Sequence, residues 1–186
     1  RQVATDGDEV LRSTSLDPEL FGEGLAHVDD RLIQLTWTAG RALVYDLDHL
    51  SLIDELTYEG EGWGLCFDGS RLVMSDGSST LTFRDPTTFD VLGRVDVVHT
   101  GSPVTDLNEL ECVDGDVYAN VWRSDQIVRI DPSTGRVEAV IEAGSLDRPP
   151  SAGVLNGIAH DPTTGRFRLT GKNWPVAYDV VFVEAG

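Results

Sequence analysis

Lysine is almost missing from this chain. Of its 14 basic residues only Lys172 is lysine, and 32 acidic residues leave a formal net charge of −18. That balance argues against a nucleic-acid partner and against an anionic membrane surface, because both are held by clustered Lys and Arg. No apolar run reaches the length of a membrane-spanning helix, so no membrane association is expected. Histidine is scarce as well. His27, His49, His99 and His160 are scattered, with no HExxH pattern, and a catalytic zinc has no support. Cys66 and Cys112 are the two cysteines and form no CxxC pair. They read as two buried free thiols, with one disulfide as the alternative. Sustained 3.6-residue periodicity is absent too, which removes helical bundles from consideration.

What remains is strand and turn. "RLIQLTW", "ALVYDL", "TLTFRD", "DVYANVW", "QIVRID" and "RFRLTG" are short β-type runs, each bounded by Gly, Asp, Pro, Ser or Thr. They recur. "FGEGLA", "GWGLCF", "LNELEC" and "LNGIAH" stack so that Glu23, Trp63, Asn108 and Asn156 share one position. A second run follows each, and past it Trp37, Gly77, Trp122 and Lys172 share another. Third and fourth runs complete units of about 40 to 50 residues, the period of four-stranded propeller blades.

The expected architecture is therefore all-β, a single five-bladed β-propeller over 1–186. Residues 1–16 read as the outer strands of a first blade whose inner strands are absent. Full blades are expected at 17–60, 61–100 and 101–145, and a last blade at 146–186. In a propeller the first strand of each blade lines the central channel. The two shared positions would then form a ring at one channel mouth, with apolar walls and a few placed polar groups. Glu109 and Glu111 are expected to face away from Asn108 by strand alternation. Asp68 and Asp76 read as turn caps, and Trp174 as packing between the last blade and the first.

The segments "FGEGLA", "EGWGLCFDGSRLVMSDGSSTLTFRDP", "TDLNELECVDGDVYANVW", "VLNGIAHDP" and "TGKNWP" resemble the plant-type glutaminyl cyclases, the glutamine cyclotransferase family. The resemblance covers nearly the whole chain. It implies a five-bladed propeller that converts an N-terminal glutamine of peptides or proteins to pyroglutamate and releases ammonia. It implies Glu23 as the catalytic glutamate and Phe21 as a pocket aromatic. Trp37, Trp63 and Trp122 would be the aromatic walls, with Asn108 and Lys172 as polar pocket groups. Asn156 joins them from the repeat alone. A segment of the "FTQGL" type, expected in the first blade, is not found. The resemblance further implies no cofactor for catalysis, a structural calcium on the axis, and a periplasmic or extracellular location. A monomer is expected.

The chemistry suits one carboxylate that acts first as base and then as acid, and Glu23 is the candidate. Two other readings compete. A calcium-dependent propeller hydrolase of the lactonase kind would need several carboxylates around an open metal position. A non-catalytic propeller that binds peptide ends would need only the aromatic ring.

Overall fold

The computed structural model describes residues 1–4 and 9–184, all of them in strands, turns and loops. Residues 5–8 of the expected first-blade strands and 185–186 of the last blade lie outside the described residues.

A short ribbon comes first, β1 (Gln2–Val3) paired antiparallel with β2 (Val10–Arg12). Four blade-sized sheets follow in chain order. The first holds β3 (Gly22–Val28), β4 (Arg31–Thr36), β5 (Arg41–Asp46) and β6 (Leu52–Thr57), laid side by side in that order. The second holds β7 (Leu65–Phe67), β8 (Leu72–Met74), β9 (Thr80–Arg84) and β10 (Val91–Asp96). A hairpin of β11 (Val98–His99) and β12 (Ser102–Pro103) then leads to β13 (Leu107–Val113), β14 (Asp116–Val121), β15 (Gln126–Asp131) and β16 (Arg136–Glu142). The hairpin adds to the outer edge of this third sheet, β11 lying parallel to β16. The fourth holds β17 (Leu155–Asp161), β18 (Arg166–Gly171) and β19 (Tyr178–Val180).

Three apolar cores hold these sheets face to face. The first packs Ile33, Leu35 and Val44 against Leu65, Leu72 and Phe89. The second packs Val73, Leu81 and Phe83 against Leu107, Leu110 and Ile130. The third packs Ile127 against Leu155, Phe167 and Leu169. Strand alternation makes this possible: on β7, Leu65 enters one core and Cys66 the next. The middle strands are buried on both faces, and the last strands alternate or open to solvent, as β16 does. The arrangement is all-β and propeller-like, with the inner strands packed in the row β3–β7–β13–β17.

Four blades are present where five were expected. The ribbon β1–β2 does not carry inner strands of its own among the described residues. It lies against the free face of the first sheet, where Arg12 donates to the Leu47 carbonyl at 3.1 Å. There Leu25 stays 49% exposed and a cleft of about 290 Å³ opens between Gln2, Leu32 and Tyr45.

Cys66 and Cys112 are joined in a disulfide, with Cα atoms 5.5 Å apart. The free-thiol expectation is thereby corrected. Both residues sit on inner strands of neighbouring sheets, a proximity that 46 residues of sequence separation conceal. Trp174 is also relocated. Its indole donates to the Gly153 carbonyl at 2.8 Å and meets Tyr178 edge-on, so it packs within the last blade and its approach.

Candidate functional site

Strand pairing sets the ring. Leu25 pairs with Gln34, Leu65 with Met74, Leu110 with Ala119 and Ile158 with Leu169. Each inner-strand partner lies two residues after Glu23, Trp63, Asn108 or Asn156, and each second-strand partner three before Trp37, Gly77, Trp122 or Lys172. The two positions stacked from the sequence are thus equivalent in space as well.

A bulge begins each long inner strand. Glu23 and Gly24 together oppose the single Leu35, Asn108 and Glu109 oppose Asn120, and Asn156 and Gly157 oppose Thr170. A bulge disrupts the ladder and re-aims the side chains it carries. The second residue of the first pair, Gly24, passes close to the neighbouring blade, and so does Gly64 at the same place in the second sheet. A Cβ on Gly24 would stand 2.5 Å from the Leu65 amide nitrogen, and one on Gly64 would strike the backbone of Asn108 and Glu109. Glycine is required at both for that reason. The third blade places Glu109 at this position instead.

Glu23 is half-buried, and burial raises its carboxyl above the ordinary range, with the Lys172 ammonium partly offsetting the rise. Lys172 Nζ stands 6.0 Å from the Phe21 ring centroid. Phe21 meets Trp37 edge-on at 6.1 Å, and Trp63 meets Trp122 edge-on at 5.3 Å. The Trp63 ring lies over Gly77, where a side chain would collide with it. The aromatic set forms an open shelf, with Phe21 58% and Trp37 43% exposed, where a walled pocket was expected.

Asn108 is buried at 6% exposure, and among the described residues its Oδ1 has no hydrogen-bond partner. A buried acceptor left unpaired costs free energy and points to a missing donor. Asn156 Oδ1 accepts from the Glu109 amide at 3.4 Å, which ties the third and fourth inner strands. Of the residues anticipated for the site, Phe21 and Lys172, Phe21 and Trp37, and Trp63 and Trp122 meet directly, whereas Asn108 and Asn156 sit at the bulges of the third and fourth inner strands.

Two acidic groups beside the ring stand out, one of them not anticipated. Glu61 Oε2 accepts from the indole N–H of Trp37 at 2.7 Å and of Trp63 at 2.8 Å, fixing both rings. Its only sequence signal is its place two residues before Trp63. Glu109 was expected to point away from the site. Burial first, then Glu111 and Glu23, push its carboxyl up to about 8. Glu111 itself accepts from the His160 amide at 2.9 Å. The bulge at Asn108 and Glu109 interrupts the alternation on which that expectation rested. Asp68 and Asp76 cap turns as anticipated, accepting from the amides of Ser70 and Ser78 at 2.9 and 3.0 Å. Among the described residues no group of three His, Cys, Asp or Glu gathers to hold a metal ion.

The sequence profile of the glutamine cyclotransferase family matches residues 1–182. A glutaminyl-peptide cyclotransferase of Arabidopsis thaliana is 40% identical over 177 residues, which are 91% of this chain and 55% of the relative. The chain thus spans about half the length of that relative. The crystal structure of Myxococcus xanthus glutaminyl cyclase superposes with a TM-score of 0.80 at 44% identity, over 87% of this chain and 72% of that one. A protein of unknown function from Bacteroides caccae shares the fold at a TM-score of 0.56 and 13% identity, over 90% of this chain and 59% of its own.

Proposed function

Because this chain belongs to the glutamine cyclotransferase family, we propose that it is a glutaminyl-peptide cyclotransferase. It acts on peptides or proteins with N-terminal glutamine, forms pyroglutamate and releases ammonia. The observation that carries the proposal is the half-buried Glu23, its carboxyl raised by burial and felt by Lys172, whose ammonium stands 6.0 Å from the Phe21 ring centroid. The α-amine attacks the side-chain amide carbon, a lactam C–N bond forms and the bond to the leaving nitrogen breaks. Glu23 takes the proton from the attacking amine and returns it to the departing ammonia. Its raised pKa brings it nearer the working range for both steps. Lys172 polarises the amide oxygen as negative charge builds there. The Trp63 ring receives the substrate amine over a face until it loses its proton, because the Arg123 guanidinium already lies over the Trp122 ring.

In the same proposal the four sheets and the β1–β2 ribbon belong to a five-bladed ring, its closing sheet seated on the free face around Leu25. Among the described residues two buried side-chain oxygens lack a partner, Asn108 Oδ1 and Asn120 Oδ1, and an axial calcium would use Asn108 Oδ1 and draw the rest of its shell from inner-strand carbonyls. Its part would be to hold the inner strands together. The Cys66–Cys112 bond suits an oxidising periplasmic or extracellular location. No helix among the described residues is long and apolar enough to cross a membrane.

The test is mass spectrometry of a Gln-initiated peptide incubated with wild type and with Glu23→Gln. Wild type should remove one ammonia per peptide, and the variant should be slower by about 10²–10⁴-fold. Equal rates would remove Glu23 from the mechanism. An unmodified peptide with both, in a protein that still binds it, would leave a peptide-binding propeller.

A further inference from the structure

A second cleft, of about 530 Å³, opens beside the ring and contains none of the residues of the proposed site. Arg123, Ser124, Asp125, Arg148, Pro149 and Gly153 line it. It shares a wall with the site. The Lys172 amide donates to the Val154 carbonyl at 3.0 Å, and the Gly153 amide donates to the Lys172 carbonyl at 2.7 Å. Arg123 directly follows Trp122, and its guanidinium stands 4.1 Å from the Trp122 ring centroid.

The two arginines of the cleft differ in what they can still bind. Arg148 is committed: it makes a forked pair with Asp125 at 2.7 and 2.6 Å and lies over the Trp174 ring. Arg123 makes no ion pair with any described carboxylate, although acidic residues outnumber basic ones 32 to 14. It is exposed and held at φ 64°, a left-handed conformation that disfavours a residue with a Cβ. Such a conformation is ordinarily taken by glycine, as at Gly40 and Gly77.

We propose that this cleft is a subsite for the substrate residues that follow the N-terminal glutamine, and that Arg123 selects a carboxylate there. Either an acidic side chain or the free C-terminus of a short peptide would supply it. A glutamine held against Trp122 and Lys172 directs its continuing chain over the shared wall, and Arg123 is the free cation it meets. The reading rests on the cyclotransferase activity proposed above.

The experiment is steady-state cyclisation by the full chain of Gln-Ala-amide, Gln-Ala with a free carboxyl, Gln-Ala-Glu-amide and Gln-Ala-Lys-amide. Wild type and Arg123→Glu are compared. Wild type should favour the Glu peptide over the Lys peptide about three- to tenfold in kcat/KM, through KM. Arg123→Glu should reverse that order and leave Gln-Ala-amide within about twofold. The free-carboxyl dipeptide separates the two carboxylate sources. Equal rates for all peptides with wild type would overturn the subsite and leave the activity standing. Failure to cyclise even Gln-Ala-amide would overturn the activity, and the subsite with it.

Discussion

Lys172 and Glu23 are coupled, and the coupling is measurable. Burial lifts the Glu23 carboxyl and the ammonium of Lys172 holds the lift in check. Acting as base, Glu23 must be ionised, so kcat/KM should fall as pH drops through its raised pKa. Lys172→Met removes the restraining charge. The acid limb of the pH profile should then move to higher pH, and the rate at the optimum should fall by about 10²–10³-fold if the ammonium stabilises the developing oxyanion. An unmoved acid limb would show that Lys172 does not sense Glu23. The same shift bears on stability. A carboxyl raised by folding is most favourable when protonated, so its contribution is lost as pH rises from the ordinary range through the folded pKa. The proposed shuttle therefore weakens the fold at neutral pH.

At the scale of strands, the repeat was legible and its irregularities were not. Glu23, Trp63, Asn108 and Asn156 could be superposed because each precedes an apolar strand at fixed spacing, and pairing places them together. The bulges left no such trace. They follow from how inner strands crowd the axis, so the alternation applied to Glu109 does not carry through the bulge. Glu61 was missed because a carboxylate that clamps two indoles looks, in an acidic chain, like any solvated one. The crowding has a sharp local consequence. Gly64→Ala would place a methyl 3.0 Å from the Glu109 Cα and against the Asn108 carbonyl, where only backbone could yield. We expect a loss of about 1–3 kcal/mol, read from urea unfolding. Unchanged stability would mean that the third inner strand can shift.

For the whole molecule, the all-β class and the blade period came from the strand-and-turn grammar, whereas the cross-link did not. Sequence spacing says nothing about which strands share an axis. Cys66–Cys112 closes a loop of 46 residues in separation between the second and third sheets. Restricting the unfolded chain to that loop is worth about 4 kcal/mol in the chain-entropy account. Reduction should lower Tm by several degrees, checked by paired thermal melts with and without reductant. Equal melts would show that the native state is strained by the bond as much as the unfolded state is restricted by it.

The position of that bond divides the chemistry as well as the fold. Glu23, Trp37 and Trp63 ride on the two sheets before it, and Asn108, Trp122 and Lys172 on the two after it. The backbone already joins these halves, but by the long way, out through β8, β9 and β10 and back in to β13. The disulfide is the short way, at the axis itself. If the interface between the halves opens, the bond holds their inner edges within side-chain reach, and reclosure is a local event. It thus keeps acid and cation as one site rather than two half-sites searching for each other.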